Sequence, residues 1–241
     1  MDGNPDEYCD RLYTLRPGWV TGTISQYDAR FLFRRVLEAR TDVVVEIGTA
    51  SGFSTIFICH ALHAARETDR IGQDFQIVSY DLSPQFYADP SMRTGEAALQ
   101  LLNPEMLEHV TFRNPATSLN VKEDFGRDAL EFLFVDANHS HPWPTLDLLT
   151  TLDCLRVGAE VVLHDINLPL RPGDFPAWGV KYLYDAVDAE KEADSGDPLS
   201  NIGSIRVPAD KDQFRDQLLS ILFAYEWQCD VDTTITTMAL T

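Results

Sequence analysis

The stretch VVVEIGTASGFST, residues 43–55, constrains the fold more than any other part of the chain. Its continuous apolar run is suited to a strand covered on both faces, as parallel strands are. Glu46 ends the strand, and Gly48 and Gly52 then bracket a turn. The next segment, STIFICHALHAAR, residues 54–66, repeats apolar side chains at helical spacing. A strand that meets a helix through such a turn leaves backbone N–H groups at the helix start, where they can hold an anionic group. Glycine adopts angles that a Cβ forbids and lets a ligand approach the main chain. Ser51 or Ser54 is placed to cap the helix. Turns that bind pyrophosphate use GxGxxG, whereas Thr49 and Ala50 follow Gly48 here and the spacing is GxxxG. A ligand with a carboxylate and an ammonium suits this turn better, with N–H groups for the one and Glu46 for the other.

The same alternation continues along the chain. Residues 25–40 read as a helix opened by a capping serine. Strands are expected at 42–48, 75–81, 109–114, 130–137, 159–165, 201–208 and 233–240. Helices are expected at 54–66, 91–102, 145–155, 179–192 and 210–227. EADSGDP, residues 192–198, reads as a polar loop. This order predicts an α/β fold: a doubly wound, mostly parallel seven-stranded sheet with helices on both faces. Ligands of such sheets bind beyond the carboxyl ends of the strands, so the residues just after each strand are the functional candidates. We expect one domain over residues 25–241, preceded by a segment 1–24 that caps the site with Tyr8, Tyr13 and Trp19.

Composition narrows the function further. The chain has 241 residues, 44% of them hydrophobic, enough for one sizeable core. No run approaches the roughly 18 apolar residues of a membrane helix, and the acidic start MDGNPDEYCD is the opposite of a signal peptide. Four dispersed cysteines read as reduced thiols of a cytoplasmic protein. A net charge of -19 argues against nucleic-acid and anionic-membrane partners. Heavy use of aspartate over lysine fits a well-solvated acidic surface.

With these residues in view, EIGTASG resembles the (D/E)xGxxxG motif of class I S-adenosylmethionine-dependent methyltransferases. The resemblance implies that Glu46, Gly48, Ser51 and Gly52 surround the amino-acid part of that cofactor. Asp81, ending IVSYD, falls where the family binds the ribose hydroxyls, and a carboxylate can accept from both hydroxyls of a diol. Asn114, in NPATS after the third strand, falls where adenine is contacted. Asp136, after the fourth strand, completes the pattern on the cofactor side. The resemblance covers about residues 25–207. It is closest to small-molecule O-methyltransferases with cores of the form DxxHxY…GG…HD, matched here by DANHSHPW and RVGAEVVLHD. Ala159 replaces the second glycine, and Pro142 and Trp143 stand where an aromatic residue is usual. The expected partner is a small-molecule acceptor, and a homodimer is compatible with this reading.

Asp136 and Asp165 end adjacent strands of the pattern, and paired carboxylates can bind one hard divalent cation such as Mg2+. In the metal-dependent relatives, including catechol O-methyltransferase, these two aspartates are ligands. The third ligand there flanks the second aspartate; here the flanks are His164 and Ile166. Ile166 cannot ligate, and His164 is softer than magnesium prefers and alternates away from Asp165 on a strand. His164 is therefore read as a partner of Asp136 or as a ligand. His139, three residues after Asp136, occupies the offset of the catalytic lysine in catechol O-methyltransferase and is the candidate general base. Its ordinary pKa is near 6.5, and Asp136 or Asp165 nearby would orient the ring and raise that value, which predicts a rate that rises through about 6.5–7.5. His141 reads as a loop hydrogen bond, and His60 and His63 as structural. Trp143, Trp178 and Phe175 can sandwich an apolar acceptor, and the Pro-rich NLPLRPGDFPAWG is long enough for a lid. Three rival readings use the same residues: a metallohydrolase built on Asp136, His139, His141, His164 and Asp165; a nicotinamide oxidoreductase, disfavoured by the missing GxGxxG; and a non-catalytic cofactor-binding protein.

Overall fold

The computed structural model describes residues 4–72, 74–173, 175–193 and 200–231. Compactness divides the chain into two units, Met1–Ala116 and Thr117–Thr241. In the first unit, α1 (Pro5–Tyr13) is capped by Asn4, whose side chain accepts from the Asp6 N–H, and carries proline in its first turn. α2 (Gln26–Ala39) opens on a reciprocal cap, in which Ser25 Oγ accepts from the Asp28 N–H and the Asp28 carboxylate accepts from the Ser25 N–H. β1 (Val43–Ile47), α3 (Phe53–Glu67), β2 (Gln76–Tyr80), α4 (Glu96–Leu101), α5 (Pro104–Leu107) and β3 (Val110–Arg113) follow. β1 pairs parallel with β2, Val43 opposite Gln76, and β2 pairs parallel with β3, Ile77 opposite Val110. Val44, Val45 and Ile77 are fully buried, as a two-faced parallel strand requires.

The segment expected as a cap is tied into this unit by its rings. Tyr13 packs edge-on against Phe53, and Trp19 against Phe86. Tyr8 shares a 2.7 Å hydrogen bond with His60 Nδ1. Burial pushes His60 down to about 4, so the ring is neutral at physiological pH and serves as a packing partner. Val20 and Ile24 are fully buried.

The second unit contains α6 (Val121–Asp124), β4 (Leu130–Val135), α7 (Trp143–Thr151), β5 (Leu155–His164), α8 (Gly179–Ala186), β6 (Lys191–Ala193), β7 (Ile202–Arg206) and α9 (Lys211–Ala224). β4 and β5 pair parallel, whereas β7 runs antiparallel to both β5 and β6. The strands form a seven-stranded sheet in the order β3-β2-β1-β4-β5-β7-β6. It is the expected doubly wound α/β sheet, mostly parallel, with β7 running against its neighbours. No helix among the described residues is long and apolar enough to cross a membrane.

Three expectations need correction. The helix expected at 91–102 begins only at Glu96, because Thr94 Oγ1 donates to the Ser83 carbonyl and a bridge joins Gln85 to Arg93, closing the preceding residues into a turn. The helix expected at 179–192 stops at Ala186, where Val187 turns extended and buries its side chain. Lys191 and Glu192 then enter β6, so EADSGDP starts inside a strand. The rest of that stretch, 194–198, and the strand expected at 233–240 lie outside the described residues.

One buried acid in α7 makes the second unit sensitive to pH. Asp147 is 5% exposed, and its carboxylate accepts from Ser118 Oγ at 2.6 Å. Burial pushes it up to about 6, and the hydroxyl recovers only part of that shift. A folded-state pKa above the unfolded value means that the contribution is full below about pH 4 and lost as pH rises through about 6. Asp147→Asn keeps an acceptor for Ser118 and cannot ionise. Between pH 4 and 6.5 its stability relative to the parent should rise by about 3 kcal/mol at most. Urea unfolding at the two pH values checks this, and a constant difference contradicts it.

Candidate active site

The turn after β1 is held in a left-handed course. Gly48, Ala50 and Gly52 have φ values of 97°, 45° and 78°. A Cβ on Gly52 would lie 2.9 Å from Gly95 Cα and 3.1 Å from the Gly95 oxygen, so only glycine fits there. Ala50 tolerates its angle because its N–H donates to Asp81 Oδ2 at 2.8 Å. From the other side, the Gly95 and Ala97 N–H groups donate to the Ala50 and Ser51 carbonyls. Gly48 N–H donates to the Tyr80 carbonyl, which couples the turn to the end of β2.

Glu46, expected to serve a ligand's cationic end, is fully buried. Its carboxylate accepts from Ser54 Oγ at 2.5 Å, Thr55 Oγ1 at 2.6 Å and Ser79 Oγ at 2.6 Å. It therefore acts on the turn through the hydroxyls it holds. This also corrects the capping expectation: Ser54 donates to Glu46, and the N-cap of α3 is Gly52, with no side-chain hydrogen bond to the first turn. Ser51 Oγ is buried and has no partner among the described residues. A buried hydroxyl without a partner beside an uncapped helix start is a place where a ligand's polar group belongs.

Asp81 is half-buried, and its Oδ1 accepts from the Ser83 N–H at 2.9 Å. Each of its carboxylate oxygens thus accepts one backbone N–H and keeps capacity for a ligand hydroxyl. The Asp81 N–H donates to the Arg113 carbonyl and its own carbonyl accepts from the Ala116 N–H, which brackets half-buried Asn114 beside it. The first unit thus brings together Gly48, Ser51, Gly52, Asp81 and Asn114 at the carboxyl ends of β1, β2 and β3.

The second unit gathers Asp136, His139, His164 and Asp165 at the ends of β4 and β5. One ligand atom from each lies within 4.8 Å of the others. His139 Nε2 stands 3.2 Å from Asp136 Oδ1 and 2.9 Å from Asp165 Oδ2. His164 Nδ1 stands 3.0 Å from Asp136 Oδ1. Strand alternation would send His164 and Asp165 to opposite faces. Asp165 escapes it because it lies just past β5 with a left-handed φ of 67°. Burial works to raise the Asp136 carboxyl, yet His164 and His139 hold it well below the usual carboxylate range. Burial likewise works against the charged form of His139, yet its bonds to Asp136 and Asp165 push it up to about 9. The ring is thus an imidazolium at neutral pH.

The four side chains lie close enough together to be candidates for holding a divalent ion. Their closest separations match the roughly 3 Å between adjacent ligands of an octahedral ion with bonds near 2.1 Å. Asp136 and Asp165 offer the oxygen donors that Mg2+ or Mn2+ takes, and the His164 imidazole is a softer donor than Mg2+ prefers.

The structure also separates residues the sequence grouped together. His141 is fully buried, and its Nε2 donates to the Leu222 carbonyl at 3.2 Å, a loop anchor as expected. Gly179 presses on this loop: its N–H donates to the His139 carbonyl, and a Cβ there would lie 2.6 Å from His141 N. Trp178 stacks on Tyr182, which stacks on Tyr225 at 3.9 Å. Gln228 Oε1 accepts from both the His141 and Trp178 N–H groups, joining the two loops. Asn201, which was not among the expected site residues, donates to Asp165 Oδ1 and is 1% exposed.

Residues 45–166 match a family model described as a methyltransferase domain. No curated protein sequence matches the chain. Solved structures share its fold. The O-methyltransferase TomG from Streptomyces achromogenes, in complex with SAM, is 17% identical, with 86% of this chain and 91% of that chain covered and a TM-score of 0.56. An O-methyltransferase from Bacillus cereus, in complex with SAH, is 15% identical, covered 86% and 92%, with a TM-score of 0.54. An SAH-bound methyltransferase from Podospora anserina is 15% identical, covered 86% and 89%, with a TM-score of 0.55.

The charge state of His139 is directly measurable. Asp165→Asn removes one of the two carboxylates that hold the ring charged, so its titration midpoint should fall from about 9 toward the ordinary 6.5. The stability gained from this pairing is full below about pH 6.5 and lost as pH rises through about 9. Imidazole NMR of the ion-free protein follows both. An unchanged midpoint in the variant contradicts the assignment of Asp165 as a partner of His139.

Proposed function

The chain belongs to the methyltransferase-domain family that its residues 45–166 match, and we propose that it transfers the methyl group of S-adenosylmethionine to a hydroxyl of a small molecule. The observation that carries this reading is the GxxxG turn after β1, locked by Asp81 and left with an unpartnered Ser51 hydroxyl at an uncapped helix start. SAM or SAH in the solved relatives supports the choice of cofactor.

In this reading Ser51 and the first N–H groups of α3 take the carboxylate of the cofactor's amino-acid part. Gly48 and Gly52 let that part lie against the main chain. Asp81 accepts from the ribose hydroxyls with the lone pairs its backbone partners leave, and Asn114 borders the adenine. Glu46 holds the turn in shape from beneath. When bound, the cofactor supplies a methyl on a sulfonium centre, open to in-line attack by the acceptor oxygen. Alignment and exclusion of water are then the chain's main contributions.

The acceptor hydroxyl must lose its proton, and we assign that proton to His139 Nε2. Asp136 and Asp165 orient the ring and stabilise it once protonated. The same pairing opposes its use as a base, because the ring stays charged up to about 9. The ion-free enzyme should therefore gain rate with pH up to about 9, above the range of about 6.5–7.5 expected from the sequence. A divalent ion held by Asp136, His164 and Asp165 would supply acidification of the acceptor hydroxyl. The metallohydrolase reading uses the same four side chains and needs no S-adenosylmethionine site.

Two variants test the assignment. Asp81→Ala should weaken S-adenosylmethionine binding by about 1.5–3 kcal/mol, the scale of hydrogen bonds to a charged group. Isothermal titration measures it, and unchanged affinity removes Asp81 from the site. His139→Gln should lower kcat by roughly 10²–10⁴ with cofactor affinity intact. This is read with radiolabelled methyl donor across a panel of phenols, catechols and aliphatic alcohols. A variant that methylates at the parent rate shows that another group takes the proton.

A further inference from the structure

We propose that Asn201 is a positioning residue for His139, acting through Asp165. The proposal rests on the methyl-transfer reading for its purpose and on the following geometry for its content. Asn201 directly precedes β7, where Ile202 pairs with His164 at the end of β5, so the antiparallel register brings Asn201 beside Asp165. Its Nδ2 donates to Asp165 Oδ1, its Oδ1 accepts from the Asn167 N–H at 3.0 Å, and its backbone carbonyl accepts from the Ile166 N–H at 3.1 Å. Asn167 returns a bond from its own side chain to the Ser200 carbonyl at 2.7 Å. One residue thus grips three successive positions.

Two consequences follow. A non-glycine residue at positive φ is strained and persists only where its surroundings over-determine it. The grip on residues 165–167 does that for Asp165. Asn201 also occupies Asp165 Oδ1, and Oδ2 is the oxygen that meets His139 Nε2 at 2.9 Å. Asn201 therefore decides which carboxylate oxygen addresses the proposed base. The residue type fits the task, since an amide presents a donor to one neighbour and an acceptor to the other. An acid of the same shape would keep the acceptor for Asn167 and set two carboxylates against each other at Asp165.

The test compares Asn201→Asp and Asn201→Ala with the parent, all as full-length chains without added metal. The readout is the hydrogen-bonded ring N–H resonance of His139, assigned by its absence in His139→Gln. Thermal melting and titration with S-adenosylmethionine accompany it. The expected result is a folded variant with parental cofactor affinity in which the His139 resonance is lost or moved upfield. Asn201→Ala leaves a small void in place of a like charge, so it serves if the aspartate variant does not fold. A lower melting temperature with an unmoved His139 resonance in a folded variant overturns the proposal and leaves Asn201 a structural residue only. Parent protein that binds no S-adenosylmethionine instead overturns the methyl-transfer reading, and with it the catalytic purpose given to Asn201.

Discussion

The buried carboxylate of Glu46 and the three hydroxyls around it form the interaction on which the first unit's functional end depends. A carboxylate removed from water carries a large desolvation cost unless donors replace the lost hydration. Ser54 and Thr55 supply donors from the first turn of α3, and Ser79 supplies one from β2. The end of β1, the start of α3 and β2 are thereby fixed to one point. Ser79 also bonds Thr49, inside the turn itself. With these anchors in place the left-handed turn has one course, and Asp81 meets the Ala50 N–H from the next strand. Within this turn the Ser51 hydroxyl is left without a hydrogen-bond partner among the described residues.

The acidic and basic groups of the second unit show the opposite arrangement. There the charges satisfy one another, two imidazoles against two carboxylates. Such a cluster can stand as an ion-pair network or take up a divalent ion, and the same short distances serve both. Its pH response follows from the pairing: Asp136 stays ionised and His139 stays protonated well beyond their ordinary ranges. A histidine held this firmly is ready to stabilise a transferred proton but slow to offer a neutral ring. That tension makes the orientation of Asp165, and hence Asn201, matter to the chemistry proposed.

Much of the fold was legible because buried parallel strands are written as uninterrupted apolar runs. β1, β2, β4 and most of β5 announce themselves in this way. β6 does not, since Lys191, Glu192 and Ala193 are all exposed and carry no apolar pattern. The start of β5 was missed for a related reason, as Arg156, Val157 and Gly158 are exposed at its beginning. Within the site, the acids at strand ends were legible because fold topology places ligands there. Glu46 was recognised as important, yet its burial depended on hydroxyls up to 33 residues away, which no local pattern reveals. Asn201 lies 36 residues from Asp165 and meets it only through an antiparallel register. The strand rule that separated His164 from Asp165 failed at one positive φ, a feature invisible in residue types alone.

The central claim is that the turn after β1 is built for an amino-acid-bearing nucleoside and not for a dinucleotide. Equilibrium dialysis of the purified protein against S-adenosylmethionine, S-adenosylhomocysteine and NAD tests it most directly. The account predicts saturable binding of the first two, with the pair competing for one site, and no retention of NAD. Retention of NAD with neither S-adenosyl compound bound would contradict it.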